Sequence, residues 1–272
     1  TARQHNTELL ENARDNYNVP ALQADDFDHS EQEEVNITPS LYNFAEREIG
    51  YDVEYNGQVY HKTRTVRVLE RYDPDPLRYY LTSIMPETSD SDFTWNGFLL
   101  ANNNELVATF GNLIHRVLTL TTRNFDNAVP EPGDPGPEEN AALEACDTAL
   151  TDVARHLAAR NFREGLRAVM VLAQHGNRYI DGRAPWKQIK EDREAAATTL
   201  WTALNIVETL RTVAYPYLPF STQTLHELLG HDGDVLSSGW QRQTPDPGTA
   251  LPDPTPIFKK LDESIVEEES ER

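Results

Sequence analysis

From Asn104 to Asn127 the apolar residues Leu106, Phe110, Leu113, Ile114 and Val117, together with Thr121, recur at the steps that place them on one face of an amphipathic helix. Further helices are expected from about Glu138 to Arg160, from Asn161 to near Gly182, and from about Gln188 to Ala214, followed by a shorter one ending at Gly230, a C-cap residue. Asn161-Phe-Arg-Glu164 has the form of a capping box, although Asn161 also suits the end of the preceding helix. Pro130 to Pro137 alternates proline and glycine with acids and is a loop, and Tyr215-Pro-Tyr-Leu-Pro219 breaks the last long helix. Upstream, Tyr51 to Tyr60 alternates bulky and polar residues about Asn56-Gly57, a dipeptide suited to a tight hairpin turn. The rest of residues 1–71 has no sustained period. Residues 231–256 are rich in proline, aspartate and glycine and read as an extended arm that does not pack. The stretch Asp262 to Glu271 holds six acids and reads as a frayed tail.

Composition changes this picture mainly through charge. The chain has 272 residues, 38% of them hydrophobic, enough for a core. It also carries 45 acids against 24 bases, a net of -21, which ordinarily argues against a polyanionic partner. Only Lys62, Lys187, Lys190, Lys259 and Lys260 are lysines, so arginine supplies the remaining bases. An acidic, lysine-poor surface fits a protein that keeps its hydration in concentrated salt; the alternative is an ordinary acidic protein that binds nothing anionic. The single cysteine, Cys146, excludes an internal disulfide and a cysteine-rich zinc site, and its apolar neighbours fit a packed core residue. No apolar run approaches the roughly 20 residues of a membrane span, and the N-terminus has no signal-peptide core. A soluble, cytoplasmic protein without a membrane partner is expected.

Local charge departs from the global sign. At about 100° per residue, Asn112, Arg116 and Arg123 fall within about 40° of one another, opposite the apolar face, with no acid between Asn112 and Arg123. Such a polar stripe is either a solvated helix face or a surface that hydrogen-bonds RNA bases and phosphates. From Arg160 to Arg193 eight bases face four acids, a basic island that includes Arg178, Arg183, Lys187 and Lys190. Trp186 sits within it, after Pro185 in an inter-helix turn, where an indole either fills a core gap or offers a stacking surface to an unpaired base.

Several short motifs, in order, resemble the C-terminal half of methionyl-tRNA synthetases, archaeal ones especially. They are Asp73-Pro-Asp-Pro-Leu-Arg-Tyr-Tyr-Leu81, Asn104-Glu-Leu-Val107 leading to Gly111-Asn-Leu-Ile-His-Arg116, Arg123-Asn-Phe-Asp126, Ala184-Pro-Trp186 and Pro256-Ile-Phe-Lys-Lys-Leu261. The resemblance runs from about Arg71 to Leu261. It implies a mainly α fold: a helical-bundle anticodon-binding domain of class I aminoacyl-tRNA synthetase type, preceded by a small irregular segment with a β-hairpin. The implied organisation is a segment of unclear origin at 1–71, a linker at 72–98 like that which contacts the tRNA stem, the helical domain at 99–230, the arm at 231–261 and the acidic tail at 262–272. The implied partner is methionine tRNA, read at its CAU anticodon, not DNA. By the same resemblance Asn112 and Arg116 contact anticodon bases and Trp186 stacks on one. Arg123, Arg178, Arg183, Lys187 and Lys190 are candidate contacts to the tRNA backbone.

The family's nucleotide-binding domain, its His-Ile-Gly-His-like motif and its cysteine-bearing insertion have no counterpart here. His61-Lys-Thr-Arg-Thr65 stands nearest to the Lys-Met-Ser-Lys-Ser signature but lacks the methionine and second lysine and lies too close to Asp73, so Lys62 reads as a surface lysine. No cofactor is assigned to this chain; ATP and methionine enter only with a catalytic domain supplied elsewhere. His226-Glu-Leu-Leu-Gly-His231 is no zinc site, because histidines five apart diverge by about 140° on a helix. Neither Ser221 nor Ser237 has a nucleophile-elbow context. Three functions follow: a tRNA-binding module of a split, truncated or paralogous synthetase, with a separate catalytic chain as a candidate partner; a protein-interaction scaffold derived from that domain; or part of an active ligase whose catalytic portion lies outside this sequence, to which Thr1 in place of methionine lends support.

Overall fold

The computed structural model describes residues 47–55, 58–66, 71–87 and 91–270, with side chains outside 47–66. The chain divides into two units, Thr1–Asp73 and Pro74–Arg272.

In the first unit, β1 (Arg47–Tyr55) pairs antiparallel with β2 (Gln58–Val66), from Arg47 opposite Val66 to Tyr55 opposite Gln58. The expected hairpin is therefore real, and longer than the alternation from Tyr51 to Tyr60 indicated. Its turn, residues 56–57, lies outside the described residues, as does nearly all else expected of residues 1–71. Lys62 stands on β2, opposite Tyr51.

The second unit is a helical bundle: α1 (Pro74–Ser83), α2 (Trp95–Leu100), a π-helical segment (Ala101–Gly111), α3 (Asn112–Asn124), α4 (Pro137–Ala158), α5 (Phe162–Arg183), α6 (Pro185–Glu191), α7 (Arg193–Ala214) and α8 (Pro219–Leu228). A 3₁₀ turn (Val235–Ser238) and a short α9 (Ile265–Ser270) follow. Helix α7 is the axis. From Ala196 to Ala214 only Trp201 escapes full burial, as expected of a helix enclosed on all sides. Three of its buried threonines are tolerated there because Thr202, Thr209 and Thr212 donate to the carbonyls four residues back, at 2.9, 2.8 and 3.4 Å. Cys146 of α4 is fully buried against α7, its Sγ 3.8 Å from the Asn205 carbonyl, and burial pushes its pKa up to about 11. It is the core residue the sequence suggested, and an unreactive thiol.

Leu106, Phe110, Leu113, Ile114, Val117 and Thr121 are all buried, as their spacing requires. The expected single α-helix from Asn104 to Asn127 is different in detail. It is continuous with α2, ends at Asn124, and winds wide through its first part, where the Asn112 N–H reaches the Val107 carbonyl five residues back. Of the buried residues of that part, Ala101, Asn102, Leu106 and Phe110, the last three are spaced four apart.

Other expectations are corrected by tertiary contacts. Asn161 flanks α5 but makes no side-chain cap; the carboxylate of Glu87 instead accepts from the Arg163 N–H at 3.0 Å. The helix expected over Gln188 to Ala214 is two helices, because Asp192 leaves helical geometry (φ -151°, ψ 93°) and its side chain caps Ala195 N at 3.0 Å. Residues 231–256 are extended but packed. Trp201 and Trp240 donate to the Pro245 and Leu150 carbonyls, Val129 and Thr249 join backbones at 2.9 Å, and Val235 and Leu251 are buried. The acidic tail forms α9 rather than fraying, held by buried Ile265.

Two of the sequence motifs act as clasps. In α1, Arg78 donates to the Tyr217 and Pro216 carbonyls at 3.1 and 3.2 Å, and buried Asp75 accepts from Ser221 N at 2.6 Å at the start of α8. Near the C-terminus, Leu261 exchanges two 2.9 Å hydrogen bonds with the Asn103 side chain, Lys259 accepts from Asn102 at 3.0 Å, and Phe258 meets Phe110 edge-on.

The histidine pair His226 and His231 belongs to a buried ionic network. Arg211 is fully buried; its Nε donates to Glu208 Oε2 and its Nη1 to His226 Nδ1, both at 2.9 Å. That bond places the His226 hydrogen on Nε2, 3.2 Å from the Asp232 carbonyl. His231 stacks on His226 with centroids 4.8 Å apart and meets Glu208 Oε1 at 2.6 Å. Both imidazoles are thereby engaged in holding α8 and the following loop on α7.

Candidate nucleic-acid interface

The site forms where α5 ends beside α3. The C-cap of α5 is Ala184, a left-handed residue (φ 48°, ψ 58°), and Pro185 opens α6 with the preset φ suited to a first helical turn. The Lys187 and Gln188 amides bond back to the Ala184 carbonyl at 2.8 and 3.3 Å. Trp186 therefore stands in the first turn of a short helix, not in a bare turn, with Pro185 buried beneath it and its own surface 39% exposed. An indole filling a core gap would be covered, so exposure favours the surface role.

Arg116 reaches across from α3. Its guanidinium lies 5.6 Å from the centroid of the Trp186 ring, and its Nη2 donates to Asp181 Oδ1 of α5 at 2.7 Å. The carboxylate fixes the position of the cation, and the cation covers part of the indole, a contact worth about 0.5–1 kcal/mol at an exposed site. The close approach of α5 to α3 depends on Gly176, where a Cβ would stand 2.6 Å from Leu113 Cδ2 and 3.1 Å from Ile206 Cγ2. Asn112 is exposed one helical turn before Arg116. Asn112, Arg116 and Trp186, distant in sequence, are thus carried at one junction of α3, α5 and α6.

The cationic residues around them divide into two groups. Arg123, Arg178, Lys187 and Lys190 are exposed. Arg183 is held internally by Glu139, a 2%-exposed carboxylate that lies 2.9 Å away and also accepts from Tyr179 and Gly136. Arg193, counted in the basic island, closes the end of α3 by donating to the Asn124 carbonyl at 2.6 Å, over the Phe125 ring. Asp181 escaped the sequence reasoning: in the linear sequence it is one of four acids in the island, and nothing in the local pattern pairs it with an arginine 65 residues away. An exposed indole, a clamped guanidinium and a carboxamide on one surface can stack an unpaired base and hydrogen-bond its edge.

Comparison with known proteins identifies the family. The model of the family described as the anticodon binding domain of methionyl tRNA ligase matches residues 129–272, and that of class I (M) tRNA synthetases matches 56–118. A methionine–tRNA ligase of Thermomicrobium roseum is 43% identical over 230 residues, 75% of this chain and 39% of that protein. One of Dehalococcoides mccartyi is 46% identical over 205 residues, 75% of this chain and 37% of the relative. The free methionyl-tRNA synthetase of Mycobacterium tuberculosis superposes with a TM-score of 0.65 at 28% identity, covering 69% of this chain and 39% of that one. These relatives are bacterial, so they lend no support to the archaeal resemblance. The chain spans under two fifths of the length of the curated relatives it matches.

Proposed function

We infer the function from a premise the family match supplies: this chain belongs to the anticodon-binding domains of methionyl-tRNA ligases. We propose that it binds methionine tRNA through the α3–α5–α6 junction. Trp186 stacks a base of the CAU anticodon, Asn112 and Arg116 hydrogen-bond base edges, and Arg123, Arg178, Lys187 and Lys190 meet phosphates. Arg183 supports α4 and α5 through Glu139 and acts on the RNA only through that packing. The observation that carries the reading is the exposed Trp186 ring with the Asp181-clamped Arg116 beside it. In the free state Arg116 stands by the indole, so an incoming base takes the open side of the ring or displaces the guanidinium.

Aminoacylation requires the nucleotide-binding half that the relatives carry, as further sequence of the same polypeptide or as a separate catalytic chain. These 272 residues alone therefore give no methionine-dependent ATP–pyrophosphate exchange; exchange above background would overturn this division of labour. The composition, with its net charge of -21 and five lysines, supports a working environment of concentrated salt, and the relatives fit a cytoplasmic setting.

Filter binding with methionine tRNA and an anticodon-changed tRNA tests the interface. Trp186→Ala is expected to weaken cognate binding about five- to 150-fold, the equivalent of about 1–3 kcal/mol for one stacked base, without lowering the melting temperature. Equal binding of both RNAs by the unmodified chain would refute the anticodon reading.

A further inference from the structure

We propose that one exposed face of α5 is a phosphodiester track, carrying the RNA backbone of the stem away from the base held at Trp186. The track extends the anticodon-binding reading above and rests on it for the identity of the RNA. Helix α5 has 22 residues and is about 33 Å long at ~1.5 Å per residue. At about 100° per residue, Arg163, Arg167, Gln174, Arg178 and Asp181 fall within about 60° of one another. All are exposed except Arg163, which is half-buried. Asp181 is already matched by Arg116, so the face runs from the Trp186 junction through Arg178 to Arg167 and Arg163; of these three arginines only Arg167 is ion-paired among the described residues, to Glu164 at its edge, and Glu87 accepts from the Arg163 backbone N–H at the far end.

The acids lie at one edge. Glu164 stands 3.6 Å from Arg167, and both border, with Glu144 and Asp152 of α4, the groove between α4 and α5, where three carboxylates outnumber the one guanidinium. Phosphates are repelled from that groove and directed toward the other edge, where α3 presents Asn112 and Arg116. The proximity of Arg178 also reaches into the groove, where, after burial, its charge is the second cause holding the His175 pKa down. Arginines at this spacing, with no aromatic ring among them, suit phosphate oxygens rather than bases. The 15 residues from Arg163 to Arg178 span about 22 Å, long enough to follow several successive phosphates of one strand. In a chain of net charge -21, a helix face of this length and sign is a local exception that solubility does not demand.

The test measures binding of the full chain to methionine tRNA and to an anticodon-changed tRNA over a fourfold range of KCl. Replacing Arg163, Arg167 and Arg178 together with glutamine is expected to weaken both RNAs by a common factor. The log–log salt slope should become shallower by about 0.7–0.9 per phosphate contact, so the fourfold salt rise costs about 20- to 40-fold less affinity than in the unmodified chain. Arg178→Gln alone, at an exposed position, should give about a third of the slope change and guards against a folding defect in the triple variant. An unchanged slope, with cognate preference retained, overturns the track and leaves the anticodon reading standing. A shallower slope in a chain with no anticodon preference does the reverse. Failure of the unmodified chain to bind either RNA at any salt overturns both.

Discussion

Removing the Glu208 carboxylate should be among the most damaging single changes to this bundle. Arg211 is 0% exposed and Glu208 2% exposed, so Glu208→Ala leaves a guanidinium without its counter-charge in the interior. His226 offers only a neutral acceptor at Nδ1 and Ser238 a hydroxyl at 3.3 Å, neither of which replaces a carboxylate. Breaking a buried pair by removing one partner costs about 3–5 kcal/mol. For a unit of this size each kcal/mol lowers the melting temperature by about 2–4 °C, so a fall of about 6–20 °C is expected. Glu208→Met combined with Arg211→Met removes both charges and should be less destabilised than Glu208→Ala, because no buried charge is left unmatched. His231→Ala removes only a partner that is 32% exposed and should cost less than about 1 kcal/mol. Thermal and urea unfolding followed by circular dichroism measure all three. The reasoning is wrong if Glu208→Ala costs under about 1 kcal/mol, or if the double variant is at least as destabilised as Glu208→Ala.

Three further outcomes are expected. Burial holds the His226 and His175 pKa values below 6.5, so their neutral forms add stability that is complete above about pH 6.5 and lost as pH falls through the lowered values; a melting temperature flat from pH 8 to 5 would contradict this. The melting temperature should rise steeply between 0.1 and 1 M KCl, where the Debye length shrinks from about 10 to 3 Å around a chain of net charge -21, and full stability in dilute buffer would remove the saline reading. Asp192→Ala should cost about 1 kcal/mol in unfolding experiments by uncapping α7, whereas Asn161→Ala should cost a few tenths at most, because its side chain makes no cap hydrogen bond; comparable losses would show that Asn161 also caps.

How much of this was legible in the sequence depends on the range of the interaction. The core face of α3 follows from helical spacing, and the same spacing puts Asn112 and Arg116 one turn apart. The π-helical segment was missed because a 3.6-residue period was assumed where the backbone bonds five residues back. The break at Asp192 had a local signal, an N-cap residue before a helical run, but strong helix formers on both sides masked it. Proline and aspartate in the arm correctly indicate extended backbone; they say nothing of the carbonyls that Trp201 and Trp240 seek or the apolar seats of Val235 and Leu251. The distant partners of Arg116 at the candidate site, Trp186 and Asp181, are set by packing over Gly176, which no periodicity encodes. Family resemblance brings Arg116 and Trp186 to the same anticodon and leaves both the contact between them and Asp181 to the structure.

The clasp between Asn103 and Leu261 has a consequence in time. Its two halves are 158 residues apart, so at ~5–20 residues per second a ribosome needs about 8 to 32 s to deliver the second half after the first. During that interval Phe110 lacks its cover by Phe258, and the Asn102 and Asn103 side chains lack their backbone partners at Lys259 and Leu261. The stretch that supports base recognition is thus made early and sealed late. Nascent chains stalled before residue 258 should stay protease-sensitive near Asn102 and be natural clients for holding chaperones, whereas those extended past Leu261 should close.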